Sequence, residues 1–82
     1  MKMGGRNPVN PTNNDVQEAA RFAITQISRE TNARVGLVKV IEAQTQVVAG
    51  INYFLRLQTT QGEINAVVFK PLSGPPKLNG WR

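Results

Sequence analysis

The chain has no cysteine and no histidine among its 82 residues. The first absence excludes disulfide bridges and a thiolate nucleophile, and the second removes the commonest general base and metal ligand. Only five carboxylates occur, and they are scattered along the sequence rather than paired for acid–base work. We therefore predict that the protein is not an enzyme and that it uses no metal and no cofactor.

Long apolar runs are also missing. No stretch approaches the roughly 18 residues of a membrane-spanning helix, and Met1–Gly5 lacks the apolar core of a secretory signal. We predict no membrane partner. The protein is expected to be cytoplasmic if Met1 is its natural start and secreted if a leader was removed, so its location stays unknown.

Aromatic residues are few, although the net charge of +5 is that of a basic domain. A basic domain can bind nucleic acid, and salt-dependent binding to DNA or RNA would reveal it. Here the ten lysine and arginine residues are spread singly along the chain, without basic runs. This scatter favours an ordinary solvated surface and predicts no nucleic-acid partner.

The first half of the chain contains an arm and one helix. Glycine and proline in residues 1–12 predict a flexible or extended N-terminal arm with no evident strand partner. A helix is expected over about Asp15–Thr31, capped by Asn13 or Asn14 and ended near Asn32. Its apolar stripe consists of Val16, Ala20, Ala23, Ile24 and Ile27.

The second half changes to the periodicity of strands. Leu37–Thr45, Ile51–Thr60 and Ile64–Lys70 read as strands, with a turn at residues 60–63. Three prolines place residues 71–76 in a loop, and a last strand is expected to be barely present. The pattern predicts a single α+β domain over residues 1–82, with one helix packed across a twisted antiparallel β-sheet.

An unusual hairpin tip, Gln46–Gly50, lies between the first two strands and reads Q-V-V-A-G. Hairpin tips are normally polar, because exposed β-branched side chains bring no gain to a monomer. Two adjacent valines here indicate a surface that enters another molecule. The alternative is a hairpin whose apolar corners are buried internally.

Q-V-V-A-G resembles the first binding loop of the cystatins, which inhibit papain-like cysteine proteases. Ala19–Ile24 is similar to the helix signature of the plant cystatins, whereas Val68–Pro75 is similar to the second loop of the stefins, the cysteine-free animal branch. Gly4-Gly5 lies where the family has its N-terminal glycine. A plant-type and a stefin-type origin both remain open.

The resemblance implies a reversible, tight-binding inhibitor that blocks the active-site cleft of a papain-like cysteine protease with an N-terminal arm and two hairpin loops. The protease-binding residues that it implies are Met3, Gly4, Gly5, Gln46, Val47, Val48, Ala49, Gly50, Pro71, Leu72, Ser73, Gly74, Pro75 and Trp81. Trp81 can equally be an edge of the core, and Phe22 is expected to pack rather than bind.

Two further expectations follow. A non-inhibitory binding scaffold on the same fold is the alternative function, because a fold does not determine a function. The protein is expected to be a monomer that can form a domain-swapped dimer if the Q-V-V-A-G loop straightens.

Overall fold

The computed structural model describes residues 5–82, which form one helix and a five-stranded antiparallel sheet in the order β1-β2-β3-β4-β5. The elements are β1 (Arg6–Val9), α1 (Asn14–Thr31), β2 (Leu37–Val48), β3 (Gly50–Thr59), β4 (Gly62–Pro71) and β5 (Lys77–Trp81). The helix packs on one face of the sheet and leaves the other face open. The predicted α+β fold is confirmed.

Side chains at both ends explain where α1 begins and stops. The Asn13 side-chain oxygen accepts hydrogen bonds from the backbone amides of Asp15, at 2.9 Å, and Val16, at 3.3 Å. Asn32 ends the helix in the left-handed region, at φ 52°, and its amide donates to the Arg29 carbonyl. Asparagine suits both positions. Among residues 5–82, no helix is long and apolar enough to cross a membrane.

The core lies between α1 and the inner face of the sheet. Ile27 and Leu57 are among its largest fully buried side chains, and Phe22 packs against it while remaining partly exposed. The predicted helical stripe is buried throughout, at Val16, Ala20, Ala23, Ile24 and Ile27. On β3 the buried residues alternate with residues of the open face, as expected for a sheet covered on one side.

Part of the predicted N-terminal arm is a β-strand. Arg6–Val9 forms β1, which pairs with β2 from Arg6 opposite Gln46 to Val9 opposite Ala43. The prediction of an arm without a strand partner is therefore wrong for these four residues. Pro8 is compatible with this strand because β1 is an edge strand, where one amide can be missing from the ladder.

The last strand is also better formed than expected. β5 pairs with β4 from Lys77 opposite Phe69 to Trp81 opposite Ala66. Beyond it, the backbones of Asn65 and Arg82 exchange two hydrogen bonds of 2.8 Å. The prediction of a barely present strand is wrong, because the pairing comes from β4 and is not visible in the short terminal sequence.

Candidate functional site

The register of the sheet brings three segments to one end. β1 starts beside Gln46, near the end of β2, and Gly50 at the start of β3 lies opposite Pro71 at the end of β4. The tip edge is therefore defined as Gly5, residues 47–50 and residues 72–76. Because neighbouring strands are about 4.8 Å apart, these segments lie side by side across the sheet.

The first hairpin is tighter than the sequence indicates. The predicted five-residue loop, Gln46–Gly50, is wrong as a loop, since β2 continues to Val48 and β3 begins at Gly50. Only Ala49 lies between the two strands. β-branched valines favour an extended backbone, so Val47 and Val48 both remain in β2. The chain reverses direction at the smaller residues that follow, Ala49 and Gly50.

Gly50 makes this reversal possible. Its φ is +124°, which residues with a side chain rarely adopt. A Cβ atom at this position would lie 2.5 Å from the Lys70 carbonyl oxygen and 2.9 Å from two carbons of the Phe69 ring. Both the backbone conformation and the close approach of β4 therefore require glycine here.

A cross-strand hydrogen bond secures the base of the hairpin. The Asn52 side-chain amide donates to the Gln46 side-chain oxygen over 3.0 Å. Gln46 therefore acts from within β2 rather than from the turn. Sequence reasoning did not identify Asn52, because its place opposite Gln46 depends on a turn of one residue.

The tip edge is apolar and exposed. Three large hydrophobic residues are exposed among those the structure describes, and two of them, Val48 (42%) and Leu72 (86%), lie on this edge. The third, Val38, lies near the start of β2, at the opposite end of that strand. Val47 is half-buried, which agrees in part with the alternative interpretation of a hairpin whose apolar corners are buried. Val48 is exposed and does not agree with it.

The second hairpin loop extends from Leu72 to Pro76. Pro71, predicted to belong to the loop, is the last residue of β4. Gly74 has a φ of +103°, and Ser73, Gly74 and Pro75 are exposed. Proline restricts the backbone of this loop, which reduces the conformational entropy that binding would cost.

Behind the tip edge, a groove of about 450 Å³ separates the first turns of α1 from the ends of β3 and β4. Phe22, Ile51 and Leu72 contribute to its apolar lining, and Asp15 and Glu18 stand on its helix side. Burial raises the pKa of Tyr53 above its usual value, and the charges of Asp15 and then Glu18 add to this effect.

The structure does not bring Trp81 to the tip edge. Trp81 lies opposite Ala66, which is five residues from Pro71 along β4, or about 17 Å. Its indole N–H donates to the Glu30 carboxylate, at 3.2 Å, near the end of α1. Met3 and Gly4 lie outside the described residues.

Comparisons with known proteins agree with this architecture. A family model described as the cystatin domain matches residues 4–80. Cystatin-A of Mus musculus is 40% identical over 76 residues, covering 92% of this chain and 78% of that protein. Cystatin-1 of Zea mays is 41% identical over 57 residues, covering 70% of this chain and 42% of that protein.

A solved structure supports the fold independently. The crystal structure of Al-CPI superposes with a TM-score of 0.76 and covers 96% of this chain and 98% of that chain. Its sequence identity is 21%, so this likeness concerns the fold alone. Because the cystatin model matches nearly the whole chain, from residue 4 to residue 80, this protein belongs to the cystatin family.

Proposed function

We propose that this protein inhibits papain-like cysteine proteases reversibly, by placing its tip edge in the active-site cleft. Membership of the cystatin family supports cysteine protease inhibition in general, and supports a role other than catalysis. The observation that carries the more specific proposal is the gathering of Gly5, Val48 and Leu72 on one end of the sheet.

Each segment has a physical role in this proposal. Val48 and Ala49 present apolar surface whose burial in a cleft stabilises the complex by roughly 25 cal/mol per Å². Leu72 supplies a second apolar contact from the neighbouring hairpin. Met3, Gly4 and Gly5 would occupy the non-primed side of the cleft, where glycine allows a close approach of the two backbones.

The rigidity of the two hairpins supports an inhibition that depends on blocking the cleft and involves no chemical reaction. The Gln46–Asn52 hydrogen bond, the glycine-dependent turn at Gly50 and the prolines of the second loop hold the hairpins before a partner arrives. A preorganised surface loses little conformational entropy on binding. Such a surface blocks access to the catalytic centre and requires no nucleophile or metal of its own.

Titration of active papain with the purified protein tests the proposal, with trypsin as the control enzyme. We expect papain activity to fall to zero near molar equivalence and to return on dilution, whereas trypsin stays active. Full papain activity at a large molar excess of folded protein would contradict the proposal and favour a non-inhibitory binding scaffold.

A further inference from the structure

The open face of the sheet carries a contact that spans three strands. The guanidinium carbon of Arg6, in β1, lies 3.7 Å from the centroid of the Phe54 ring, in β3. β2 runs between them, so the side chain crosses two strand spacings, or about 10 Å. A cation this close to a ring face is attracted by the negative potential of the π-system.

The charges around this ring explain why Arg6 stacks rather than forming an ion pair. Arg56, the next cation on the open face, already holds the two nearby carboxylates, Glu63 at 2.9 Å and Glu42 at 3.8 Å. Within residues 5–82, Arg6 forms no ion pair. The Phe54 ring is therefore its principal side-chain partner on this face.

β1 is otherwise weakly held. It has four residues, it lies at the edge of the sheet, and Pro8 cannot donate to the ladder. Its one apolar contact with the core comes from Val9, which is only partly buried. A short edge strand of this kind frays readily unless a side chain ties it to the sheet.

We propose that Arg6 and Phe54 form a clasp that holds β1 on the sheet and fixes where the chain enters the tip edge. Arg6 is the residue directly after Gly5 and pairs with Gln46, so movement of Arg6 displaces the first segment of the tip edge. Arg6 is thus a positioning residue for protease binding. This inference rests on the inhibitory function proposed above.

Dissociation from papain tests the clasp in a double-mutant cycle of Arg6→Gln and Phe54→Leu. Each single variant should dissociate about two- to fivefold faster than the parent, the size expected of an exposed cation–π contact. The double variant should be no faster than the faster single variant, because both changes remove one contact. Additive effects would overturn the proposal.

Three further variants distinguish the effect of the Arg6–Phe54 contact on dissociation from general effects of charge and of packing. A second groove, on the open face, is lined by Arg6, Phe54 and Arg82, so Arg82→Gln removes the same charge from the same groove and should dissociate like the parent. Phe54→Tyr keeps the ring and should retain the coupling with Arg6. Arg6→Lys should be intermediate, since an ammonium group keeps the charge without the planar stack. Equal dissociation of Arg6→Gln and Arg82→Gln would contradict a specific role for Arg6.

Nuclear magnetic resonance examines the clasp without a protease. The Arg6 side-chain protons should show upfield ring-current shifts that Phe54→Leu abolishes, and the β1 amides should exchange faster in Arg6→Gln. If the parent fails to inhibit papain but shows these shifts, the proposed function falls while the clasp stands as a structural contact. If the parent inhibits and the shifts are absent, the clasp falls alone.

Discussion

At the residue scale, Val48 is the exposed valine of the tip edge. It is 42% exposed at the end of β2, beside the single residue of the turn. Val38, which is 57% exposed near the other end of the same strand, offers a matched reference. The two valines share residue type and strand but differ in whether they lie on the tip edge.

Replacing Val48 by aspartate should abolish tight inhibition while leaving the fold intact. The change would carry a charge into a desolvated apolar contact, which costs several kcal/mol unless the charge is paired. Val38→Asp should inhibit papain like the parent, because Val38 lies away from the tip edge. Inhibition constants and melting temperatures of both variants decide the matter. A large loss of thermal stability in Val48→Asp with unchanged inhibition would mean that Val48 serves the core.

Tyr53 lines the groove behind the tip edge, and its titration should make the stability of the protein depend on pH in the alkaline range. Burial and the charges of Asp15 and Glu18 raise the pKa of Tyr53, whereas in the unfolded chain the pKa is near its usual value of about 10. Above about pH 10 the unfolded state therefore releases its proton first, and the free energy of unfolding should fall as the pH rises through the folded pKa. Below that pH, Tyr53 contributes no pH dependence.

Absorbance titration of the phenolate measures this directly, because Tyr53 is the one tyrosine of the chain. Glu18→Gln should lower the pKa of Tyr53 by removing a negative charge while leaving the ring buried. A titration at the unperturbed value in the folded parent would show that Tyr53 is more hydrated than its 5% exposure indicates.

At the element scale, the two hairpins of the tip edge differ in what supports them. The β2–β3 turn is braced by Gly50 against β4 and by the Gln46–Asn52 hydrogen bond. The β4–β5 loop projects Leu72, which is 86% exposed and has little contact with the rest of the molecule. Stability and binding should therefore be separable in the second hairpin.

Leu72→Ala should weaken papain inhibition by roughly 5- to 150-fold, the range expected when one apolar contact of about 1–3 kcal/mol is lost from an interface. The melting temperature should not change, since Leu72 contributes little buried area to the folded monomer. Surface plasmon resonance with immobilised inactive papain measures the effect on dissociation. An unchanged dissociation rate would remove Leu72 from the proposed contact.

At the scale of the whole molecule, we predict that the one-residue turn acts as a hinge for domain swapping. If Ala49 and Gly50 become extended, β2 and β3 join into one strand, and α1 with β2 can pack on β3–β5 of a second copy. The same core contacts form between chains, so the dimer costs little at equilibrium. In such a dimer the β2–β3 hairpin, which is proposed to bind the protease, no longer exists as a turn.

Partial unfolding at high concentration should therefore yield a slowly reverting dimer that does not inhibit papain. Gly50→Ala should increase the dimer fraction, because alanine strains the closed turn, at φ +124°, but fits an extended strand. Gly62→Ala is the matched control, since Gly62 also has a positive φ, of +103°, but is the first residue of β4, directly after the turn between β3 and β4. Size-exclusion chromatography with an activity assay on each peak gives the answer, and a dimer as active per chain as the monomer would refute the hinge.

What the sequence by itself determined is mostly local. The helical stripe, the helix end at Asn32 and the alternation of β3 each depend on neighbours within a few residues, and the structure confirms them. Of the two cap candidates at the start of the helix, Asn13 and Asn14, the structure selects Asn13. The Q-V-V-A-G motif, together with its position after a helix and a strand and before two more strands, indicated the cystatin family, because the motif and the order of the elements can both be recognised in the sequence. Its contact with a protease stays a prediction.

Only the tertiary structure decided which distant segments meet. Arg6–Val9 becomes a strand because β2 offers an unpaired edge, and β5 forms because β4 offers the other. The register of those pairings takes Trp81 to Glu30 and away from the tip edge, and it takes Arg6 across the sheet to Phe54. Such contacts join residues up to 51 positions apart, and their formation depends on strand order and register, which no local pattern encodes.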